Sequence, residues 1–600
     1  MSIRYWLKNI IQSSWFDWLL LLIWIGISTL LRFARLASLP PWTDECATIA
    51  FSLGNGFHSV PLNSLIESDV LLQPLTPLPD RGIGAVIEHL MAESTHPPVY
   101  FVLAHLWMKL FPAIGGLASI WAARALPALL GVGSIPAMFG LGCLAFRSRL
   151  VAHIIAAMMA VSPYGIFLAK DARHYTLAIL LVIASLSCLI YTVRAIKNQK
   201  ILPIGVGLTW VGINSLGIAT HYFFTITICS SAIVLLGIAW QESREGWHVL
   251  VKPYWRRIYG VAAGTLVGCL VWIGAFQSIN GSEPTNWIYN VNPTVEWLAP
   301  IGRLAIWIAS MVLLLPSAIT IIPTWIVVIS GLVTIIFLVS ILPSLVRGFK
   351  LQAQNPDSRL ALQVLGGYIV SAIALCFSFT YGLGMDLTLA ARFQFVSFPA
   401  IIALLGAIMA GVWNSVSPEK IVRQKGEENR EIRNKLFLIS ILIKNGKSVV
   451  YLIFLMGFLG GLTVVWNLGY LQNQRADLLV PIIRQGSQYP IVIATTHKHH
   501  GQTGRMMGFA WEFKRLGTGN SSARESQFFL AHQEPTTSTY TDGVEVFQKT
   551  LSQAQRPLDL WLVDFRGTLD LESQQCFADR RYRGWAGEYK YKLYRCPLLP

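Results

Sequence analysis

The sequence predicts a polytopic α-helical membrane protein with about eleven spanning helices, additional interfacial helices and a small C-terminal α/β extracytoplasmic domain. Hydrophobic residues make up 54% of the 600 positions and charged residues only 13%, whereas soluble domains carry about 25% charged residues. Apolar runs of at least about 18 residues, the length that a spanning helix needs, recur from the N-terminus to about residue 468.

The charge distribution sets the predicted orientation. The net charge is +16, but the basic residues cluster in short loops between apolar runs, as the positive-inside rule requires, so no nucleic-acid partner is expected. Arg4 and Lys8 precede the first apolar run, which has no cleavage site before Arg32 and is interpreted as an uncleaved helix. The N-terminus is therefore predicted to be cytoplasmic, and the acidic segment after the first span extracytoplasmic.

The spans follow from length and from the alternation of basic loops. They are predicted at Trp15–Arg35, Trp121–Phe146, Val151–Leu168, Tyr175–Thr192, Ile201–Ala219, Phe223–Trp240, Ile258–Gln277, Trp325–Val346, Leu360–Tyr381, Phe395–Trp413 and Val449–Trp466. Two further apolar segments, Pro97–Pro112 and Arg303–Pro316, are predicted to lie at the outer interface, because crossing segments there would move Arg147 and Arg347 to the outside.

The chain divides into a membrane domain, 1–468, and an extracytoplasmic tail, 469–600. Within the first, residues 36–120 form the first extracytoplasmic loop. The tail is less apolar, and strands are predicted at Leu479–Thr495, Val544–Phe547 and Leu558–Phe565. Cys576 and Cys596 are the only cysteines of the tail, and an extracytoplasmic location favours a disulfide between them.

An acidic pair, Asp44-Glu45, follows the first span and a stiff Pro40-Pro41 turn. A carboxylate at the membrane surface could accept a proton from an attacking hydroxyl, and a second could bind an acceptor or a metal ion. The alternative is a solvated helix N-terminus in which Asp44 is a cap.

Other ionisable or aromatic candidates lie at the outer ends of different spans. They are His96 and Tyr100 at the start of an interfacial helix, Lys170, Asp171, Arg173 and Tyr175 between two spans, His221 and Tyr222, and Arg392. Arginine, lysine and a histidine at a helix N-terminus could bind a phosphate. Asp171 and Arg173 could equally pair with each other, and Tyr222 or Arg392 could be interfacial anchors. Such residues are not expected to gather on one face by chance.

A divalent metal ion is a weak candidate cofactor. His89 and Glu93 are four residues apart and share a face if this segment is helical. No zinc-binding spacing of cysteines and histidines accompanies them.

Three motifs in order resemble the C-type glycosyltransferases of family 39, which include protein O-mannosyltransferases and bacterial lipid A aminoarabinose transferases. The motifs are the acidic pair Asp44-Glu45, the His-Pro-Pro-x-Tyr stretch from His96 to Tyr100, and the Asp-Ala-Arg-x-Tyr stretch from Asp171 to Tyr175. The resemblance covers roughly residues 1–415, with His221-Tyr222 and Arg392 as weaker matches. In the family, the stretch that runs from Asp171 to Tyr175 here commonly begins with Glu. The tail from Gly469 resembles no family.

The resemblance implies inverting transfer of a sugar from a polyprenyl-phosphate carrier to an acceptor hydroxyl on a protein, lipid or glycan. The reaction would take place on the extracytoplasmic face of a bacterial plasma membrane. Asp44 would be the general base with Glu45 assisting, and Asp171 would organise the acceptor or the base. Arg173 and Arg392 would neutralise the carrier phosphate, with His96 and Lys170 as further candidates.

The main alternative is a transporter of a lipid-linked or small anionic substrate. A transporter would place ionisable residues near the middle of the bilayer and show inverted repeats, whereas the candidates here lie at the outer ends of the spans. A receptor-like membrane protein would leave the gathering of Asp44, Asp171 and Arg392 unexplained.

Overall fold

The computed structural model describes residues 14–275, 287–289, 297–313, 323–414, 446–469, 471–517, 526–533 and 541–598, and the element numbers below cover these residues only. The predicted cytoplasmic N-terminus, 1–13, lies outside them. Helices up to the second long loop are α1 (Ser14–Phe33), α2 (Thr43–Ser52), α3 (Ser68–Leu72), α4 (Ile83–Glu93), α5 (Val99–Met108), α6 (Ile120–Phe146), α7 (Arg149–Val161), α8 (Pro163–Ala169), α9 (Tyr175–Lys197), α10 (Ile204–Thr220), α11 (Phe224–Ser243) and α12 (Pro253–Leu270).

The remaining helices belong to the second half of the chain and to the tail. They are α13 (Ala299–Ser310), α14 (Thr324–Gln354), α15 (Pro356–Phe377), α16 (Phe398–Trp413), α17 (Gly446–Val465), α18 (Ala476–Gly486), α19 (His500–Gly517) and α20 (Thr541–Gln553). The strands are β1 (Leu65–Glu67), β2 (Ile491–His497), β3 (Ser526–His532), β4 (Leu558–Val563), β5 (Phe577–Ala586) and β6 (Tyr589–Cys596).

The protein is an integral membrane protein. Among the described residues, seven helices are long and apolar enough to cross a membrane, namely α1, α6, α9, α11, α14, α15 with the turn that follows it, and α17. The pair α7 and α8 forms an eighth candidate that is bent by 52°. Three predicted spans correspond to α10, α12 and α16, which are shorter or less apolar, so the predicted number of about eleven spans is not confirmed.

The bend between α7 and α8 is stabilised by a buried arginine. Pro163 starts α8 and interrupts the helical hydrogen bonds, which leaves carbonyl groups of α7 without helical partners. Arg32 of α1 is fully buried and donates to Ala160 O and Met159 O, both at 3.0 Å. This contact fixes α8, which leads directly into the Lys170–Tyr175 segment.

The two predicted interfacial segments form short apolar helices. Pro97–Pro112 contains the 10-residue helix α5, and Arg303–Pro316 overlaps the 12-residue helix α13. Residues 314–316 of the second segment lie outside the described part of the chain. Both helices are too short to cross a bilayer alone, and their interfacial position stays a prediction.

The tail contains a six-stranded mixed sheet in the order β1-β3-β2-β4-β6-β5. Strand β2 is parallel to β3 and β4, and the other pairings are antiparallel. The edge strand β1 comes from the segment 36–120 that follows the first span, and it pairs with β3 of the tail. The first loop and the tail therefore build one folded layer, although the sequence assigned them to different domains.

Two of the three predicted tail strands differ from the structure. Leu479–Thr495 divides into helix α18 and strand β2, because Leu479, Val480 and Ile483 have helical spacing and are buried on one face. Val544–Phe547 lies inside α20, where the buried residues recur at helical spacing. Leu558–Phe565 is confirmed as strand β4 over most of its length.

The predicted Cys576–Cys596 disulfide is confirmed. It joins the residue before β5 to the last residue of β6, and both cysteines are buried. The bond therefore ties the outer hairpin of the sheet at the end opposite its turn.

Helix α19 of the tail packs closely against the start of α2. Gly504 and Gly508 lie four residues apart on one face of α19. A Cβ at Gly504 would lie 3.0 Å from Thr43 O, and one at Gly508 would lie 2.9 Å from Pro41 O. The two glycines allow the tail to approach the backbone that carries Asp44.

Candidate active site

A cavity of about 1080 Å³ lies between the membrane helices, the first loop and the tail. Its membrane-helix wall is apolar and includes Phe167 of α8, Ile226 of α11 and Trp307 of α13. Its tail wall is polar and includes Asn473, Gln474, His500, Gln502, Arg505 and Glu588. The cavity is therefore amphipathic, and it is large enough for a ligand with both an apolar and a polar part.

Seven of the predicted site residues line this cavity: Asp44, His96, Arg173, Tyr175, His221, Tyr222 and Arg392. They come from five separate stretches of the sequence that the fold brings together. Four other predicted residues, Glu45, Tyr100, Lys170 and Asp171, are not part of the described lining.

Asp44 lies between two arginines. Its Oδ2 atom is 3.3 Å from Arg392 Nη2 and 3.9 Å from Arg173 Nη2. The Asp44 side chain keeps 25% exposure, which leaves the carboxylate accessible from the cavity. A carboxylate in this position can accept a proton from a ligand in the cavity, and both guanidinium groups lie on the same side of it as Oδ2.

Arg392 is held by aromatic rings and faces the cavity. Its guanidinium carbon lies 5.2 Å from the centre of the Trp42 ring, 5.7 Å from Trp287 and 5.6 Å from Phe393. Aromatic faces orient a guanidinium without using its N–H donors. Arg392 can therefore donate hydrogen bonds to an anionic ligand in the cavity.

Arg173 makes more contacts within the protein. Its Nη1 donates to Thr48 Oγ1 at 2.8 Å and to Asp44 O at 3.1 Å, and its Nη2 donates to His96 Nε2 at 2.9 Å. His96 Nδ1 is 3.0 Å from Ser94 Oγ. Burial, with Arg173 beside it, lowers the pKa of His96 well below its ordinary value, so the ring is neutral. Both ring nitrogens of His96 are thus engaged by side chains of the protein.

Glu45 is fully buried and has a different environment from Asp44. Arg124 Nε and Nη2 donate to its two oxygens at 2.7 and 2.6 Å. The Ala172 N–H donates to Oε1 at 2.7 Å, and the Trp42 N–H lies 3.4 Å from Oε2. The carboxylate therefore joins α2, α6 and the Lys170–Tyr175 segment, and it is not available to a ligand in the cavity.

Asp171 connects the same segment to the tail. Asn473 Nδ2 lies 3.0 and 2.9 Å from its two oxygens. Burial and the Glu45 carboxylate raise the pKa of Asp171 to about 7, although Asn473, Arg124 and Arg392 act in the opposite direction. The neighbouring Gln474 bonds to Thr43, so consecutive tail residues hold both acidic stretches of the site.

A group of rings surrounds the inner side of the cavity. His174 is fully buried, and its ring centre lies 4.6 Å from those of Tyr175 and His221 and 6.0 Å from that of Tyr100. Burial lowers the pKa of His174 and of His221 well below the ordinary value. These neutral rings pack the Arg173 segment against α5 and α10.

The remaining predicted residues have contacts away from the cavity. Lys170 donates to Ala34 O. Glu93 accepts a hydrogen bond from Phe57 N at 2.7 Å and lies 3.3 Å from His89 Nδ1 and 3.4 Å from His58 Nδ1. Among the described residues, no group of three or more His, Cys, Asp or Glu side chains is arranged to hold a metal ion.

Sequence reasoning missed the contribution of the tail and of Arg124. Asn473, Gln474 and Arg505 lie in a segment whose sequence resembles no known motif, and Arg124 lies within an apolar helix. His500 lines the cavity and could have been noticed in the sequence as part of the histidine-rich segment 497–500. Its ring centre lies 5.2 Å from that of Phe57, on which it stacks.

The chain is similar in structure to several membrane proteins. It matches ArnT from Cupriavidus metallidurans in the apo state at 13% identity with a TM-score of 0.47, covering 97% of this chain and 98% of that chain. The same protein bound to undecaprenyl phosphate gives 13% identity and a TM-score of 0.46, with 99% and 98% covered. An oligosaccharyltransferase from Archaeoglobus fulgidus gives 13% identity and a TM-score of 0.43, with 96% and 74% covered.

No protein-family model matches the chain, and no curated protein matches it as a relative.

Proposed function

We propose that this protein is a membrane glycosyltransferase that moves a sugar from a polyprenyl-phosphate carrier to an acceptor hydroxyl, with inversion. The observation that carries the proposal is the pairing of Asp44 with Arg392 inside an amphipathic cavity. The reaction needs a base for the acceptor, a cation for the leaving phosphate, and an apolar wall for the lipid. These three elements meet at one place.

In the proposed reaction, the carrier lies along the apolar wall with its phosphate at Arg392. The acceptor hydroxyl approaches from the tail side and gives its proton to an Asp44 oxygen. The hydroxyl oxygen then bonds to the anomeric carbon as the bond from that carbon to the phosphate oxygen breaks. The electron pair leaves with the polyprenyl phosphate, whose developing charge Arg392 stabilises. Attack opposite the leaving group accounts for inversion.

We assign the other polar residues to positioning. Arg173 holds the Asp44 backbone and His96, and Glu45 holds Arg124 and Ala172. The proposed catalytic group is therefore Asp44, whereas Glu45 and Asp171 maintain its surroundings. These steps do not require a divalent cation. A divalent cation as cofactor stays a prediction from the sequence.

Replacing Arg392 with glutamine is expected to weaken binding of undecaprenyl phosphate by at least about tenfold, because a hydrogen bond to a charged group contributes about 1.5–3 kcal/mol. Lysine at this position is expected to be intermediate, since it lacks the planar fork and the stacking geometry. Titration of the full-length protein in nanodiscs, followed by the fluorescence of the lining residues Trp42 and Trp287, measures the affinity.

Arg147→Gln is the matched control, since that arginine is 59% exposed and pairs with Asp357 elsewhere. Equal affinities for the Arg392 variant and the control would contradict the phosphate assignment. Turnover is measured with a panel of labelled polyprenyl-phosphate sugars in the same nanodiscs. No turnover with any donor, together with flux of these compounds in liposomes, would favour the transporter.

Replacing Asn473 with alanine is expected to move the acidic limb of the turnover profile to higher pH by about 1 unit. The Asn473 amide stabilises the ionised form of Asp171 and holds its pKa down, and a hydrogen bond to a charged group has about this magnitude. Below its pKa of about 7, Asp171 gains a proton. The Asn473 amide of the tail then no longer donates to a charged carboxylate. The measurement is the rate of turnover between pH 5 and 9.

Asn198→Ala serves as the control, because Asn198 is an exposed residue at the end of α9. Asn473→Asp is expected to shift the limb further, since it adds a like charge next to Asp171. An acidic limb that stays in place in both Asn473 variants would show that Asp171 is not the titrating group.

A further inference from the structure

The turn between β5 and β6 has an uncommon backbone conformation. Ala586 and Tyr589 are paired across the hairpin, and the two residues between them have φ values of 58° at Gly587 and 71° at Glu588. A two-residue turn with both φ values positive normally has glycine or asparagine at these positions. A Cβ at Gly587 would lie 2.1 Å from Arg475 O, so glycine is needed there.

Glu588 is therefore the unusual residue of this turn. A glutamate in the left-handed region is strained relative to glycine or asparagine, and the turn would form more easily with either. Strain of this kind is characteristic of residues that a ligand site requires. The Glu588 side chain lines the cavity.

Glu588 lines the cavity together with the polar residues of the tail wall. Burial raises its pKa, whereas Arg505 and Arg392 act to lower it. Each of these arginines already pairs with another carboxylate, Arg505 with Asp564 and Arg392 with Asp44. Within the described part of the chain, Glu588 has no ion pair of its own, so its oxygens can accept hydrogen bonds from a ligand.

We propose that Glu588 is an acceptor-binding residue that recognises the hydroxyl groups of a saccharide. The inference rests on the proposed function and narrows its acceptor. A carboxylate repels the donor phosphate, so its ligand is the other substrate. Its two oxygens can accept hydrogen bonds from two neighbouring hydroxyls. The tail wall of the cavity adds the amide of Gln502, which suits an uncharged polyhydroxylated ligand.

The conformation of the turn provides the test variants. Glu588→Gly and Glu588→Asn both tolerate a positive φ, so they remove the carboxylate without disturbing the hairpin. The apparent melting temperature of each full-length variant is expected to equal or exceed that of the wild type. The Michaelis constant for the saccharide acceptor is expected to rise at least tenfold in both, and more than the constant for the donor.

The measurement uses the protein in nanodiscs with a polyprenyl-phosphate sugar that it turns over. Methyl α-mannoside and methyl β-glucoside are the saccharide probes, and a serine-containing peptide is the comparison. The control variant is Glu545→Gln, which alters an exposed carboxylate on α20.

The proposal is supported if the Michaelis constant for the saccharide acceptor rises more than the Michaelis constant for the donor. The proposal is overturned if both Michaelis constants stay unchanged or rise equally. It is also overturned if the wild type transfers sugar to the peptide and to neither saccharide. Failure of the proposed function has a different signature, because the wild type would then turn over no donor with either water or any acceptor.

Discussion

Asparagine in place of Asp44 is expected to reduce sugar transfer by about 10²–10⁴-fold, the range that general base catalysis contributes. The side chain keeps its size, and its amide oxygen can still face Arg392, but it cannot take the acceptor proton. Binding of undecaprenyl phosphate is expected to change little, because Arg392 and the apolar wall remain. The measurement is the single-turnover rate with a labelled polyprenyl-phosphate sugar, alongside the binding titration.

Asp69→Asn is the matched control, because this residue lies in the same segment, 36–120, as Asp44, is 76% exposed and pairs with Lys514. It is expected to transfer sugar at the wild-type rate. A rate above about one-tenth of wild type in Asp44→Asn would contradict the assignment of the base. Loss of lipid binding in that variant would instead indicate that Asp44 organises the cavity as a whole.

Seven of the predicted residues line one cavity, and the pattern that singled them out is their position at the ends of apolar segments. Asp44 follows α1, Arg173 precedes α9, His221 follows α10 and Arg392 precedes α16. Alternating spans place such ends on the same side, so the order of the helices is sufficient to bring them close together. Segment length and polarity are sufficient for this expectation, and no knowledge of the packing is needed.

The distinction between Asp44 and Glu45 could not be predicted in this way. Adjacent residues at the start of a helix point in different directions, and the partner that buries Glu45 is 79 positions away on α6. The contact from Asn473 to Asp171 spans 302 positions. Only the tertiary packing decides which carboxylate is enclosed and which remains exposed to a ligand.

The dependence on tertiary packing also explains why the secondary structure of the tail was partly predicted wrongly. The short apolar segment that contains Val544 and Phe547 is compatible with a strand or with one face of a helix. Its tertiary contacts, and not its local pattern, make it part of helix α20. Strand β1 is only three residues long and completes the sheet from a distant part of the chain. Local sequence patterns are too weak to predict that a strand of the first loop pairs with a strand of the tail.

Replacing Arg124 with methionine is expected to destabilise the protein by about 3–5 kcal/mol, which is the cost of leaving a buried charge without its partner. Glu45 has no exposed surface, and Arg124 also donates to the carbonyls of Leu36, Leu39 and Pro40 at 3.0–3.1 Å. Lysine is expected to restore part of the loss, since it supplies the charge but not the bidentate contact. The apparent melting temperature in nanodiscs measures the effect.

The control is Arg149→Met, which breaks an ion pair with Asp17 whose arginine is 64% exposed and which should cost about 0–1 kcal/mol. Equal melting temperatures for the two methionine variants would contradict the role of the buried pair. Combining Arg124→Met with Glu45→Leu is expected to recover much of the stability, because no unpaired charge then remains. Sugar transfer is not expected to recover with it, since Ala172 and Trp42 lose the carboxylate that holds them around Asp44. A double variant that is both stable and active would show that the pair maintains the fold without positioning the base.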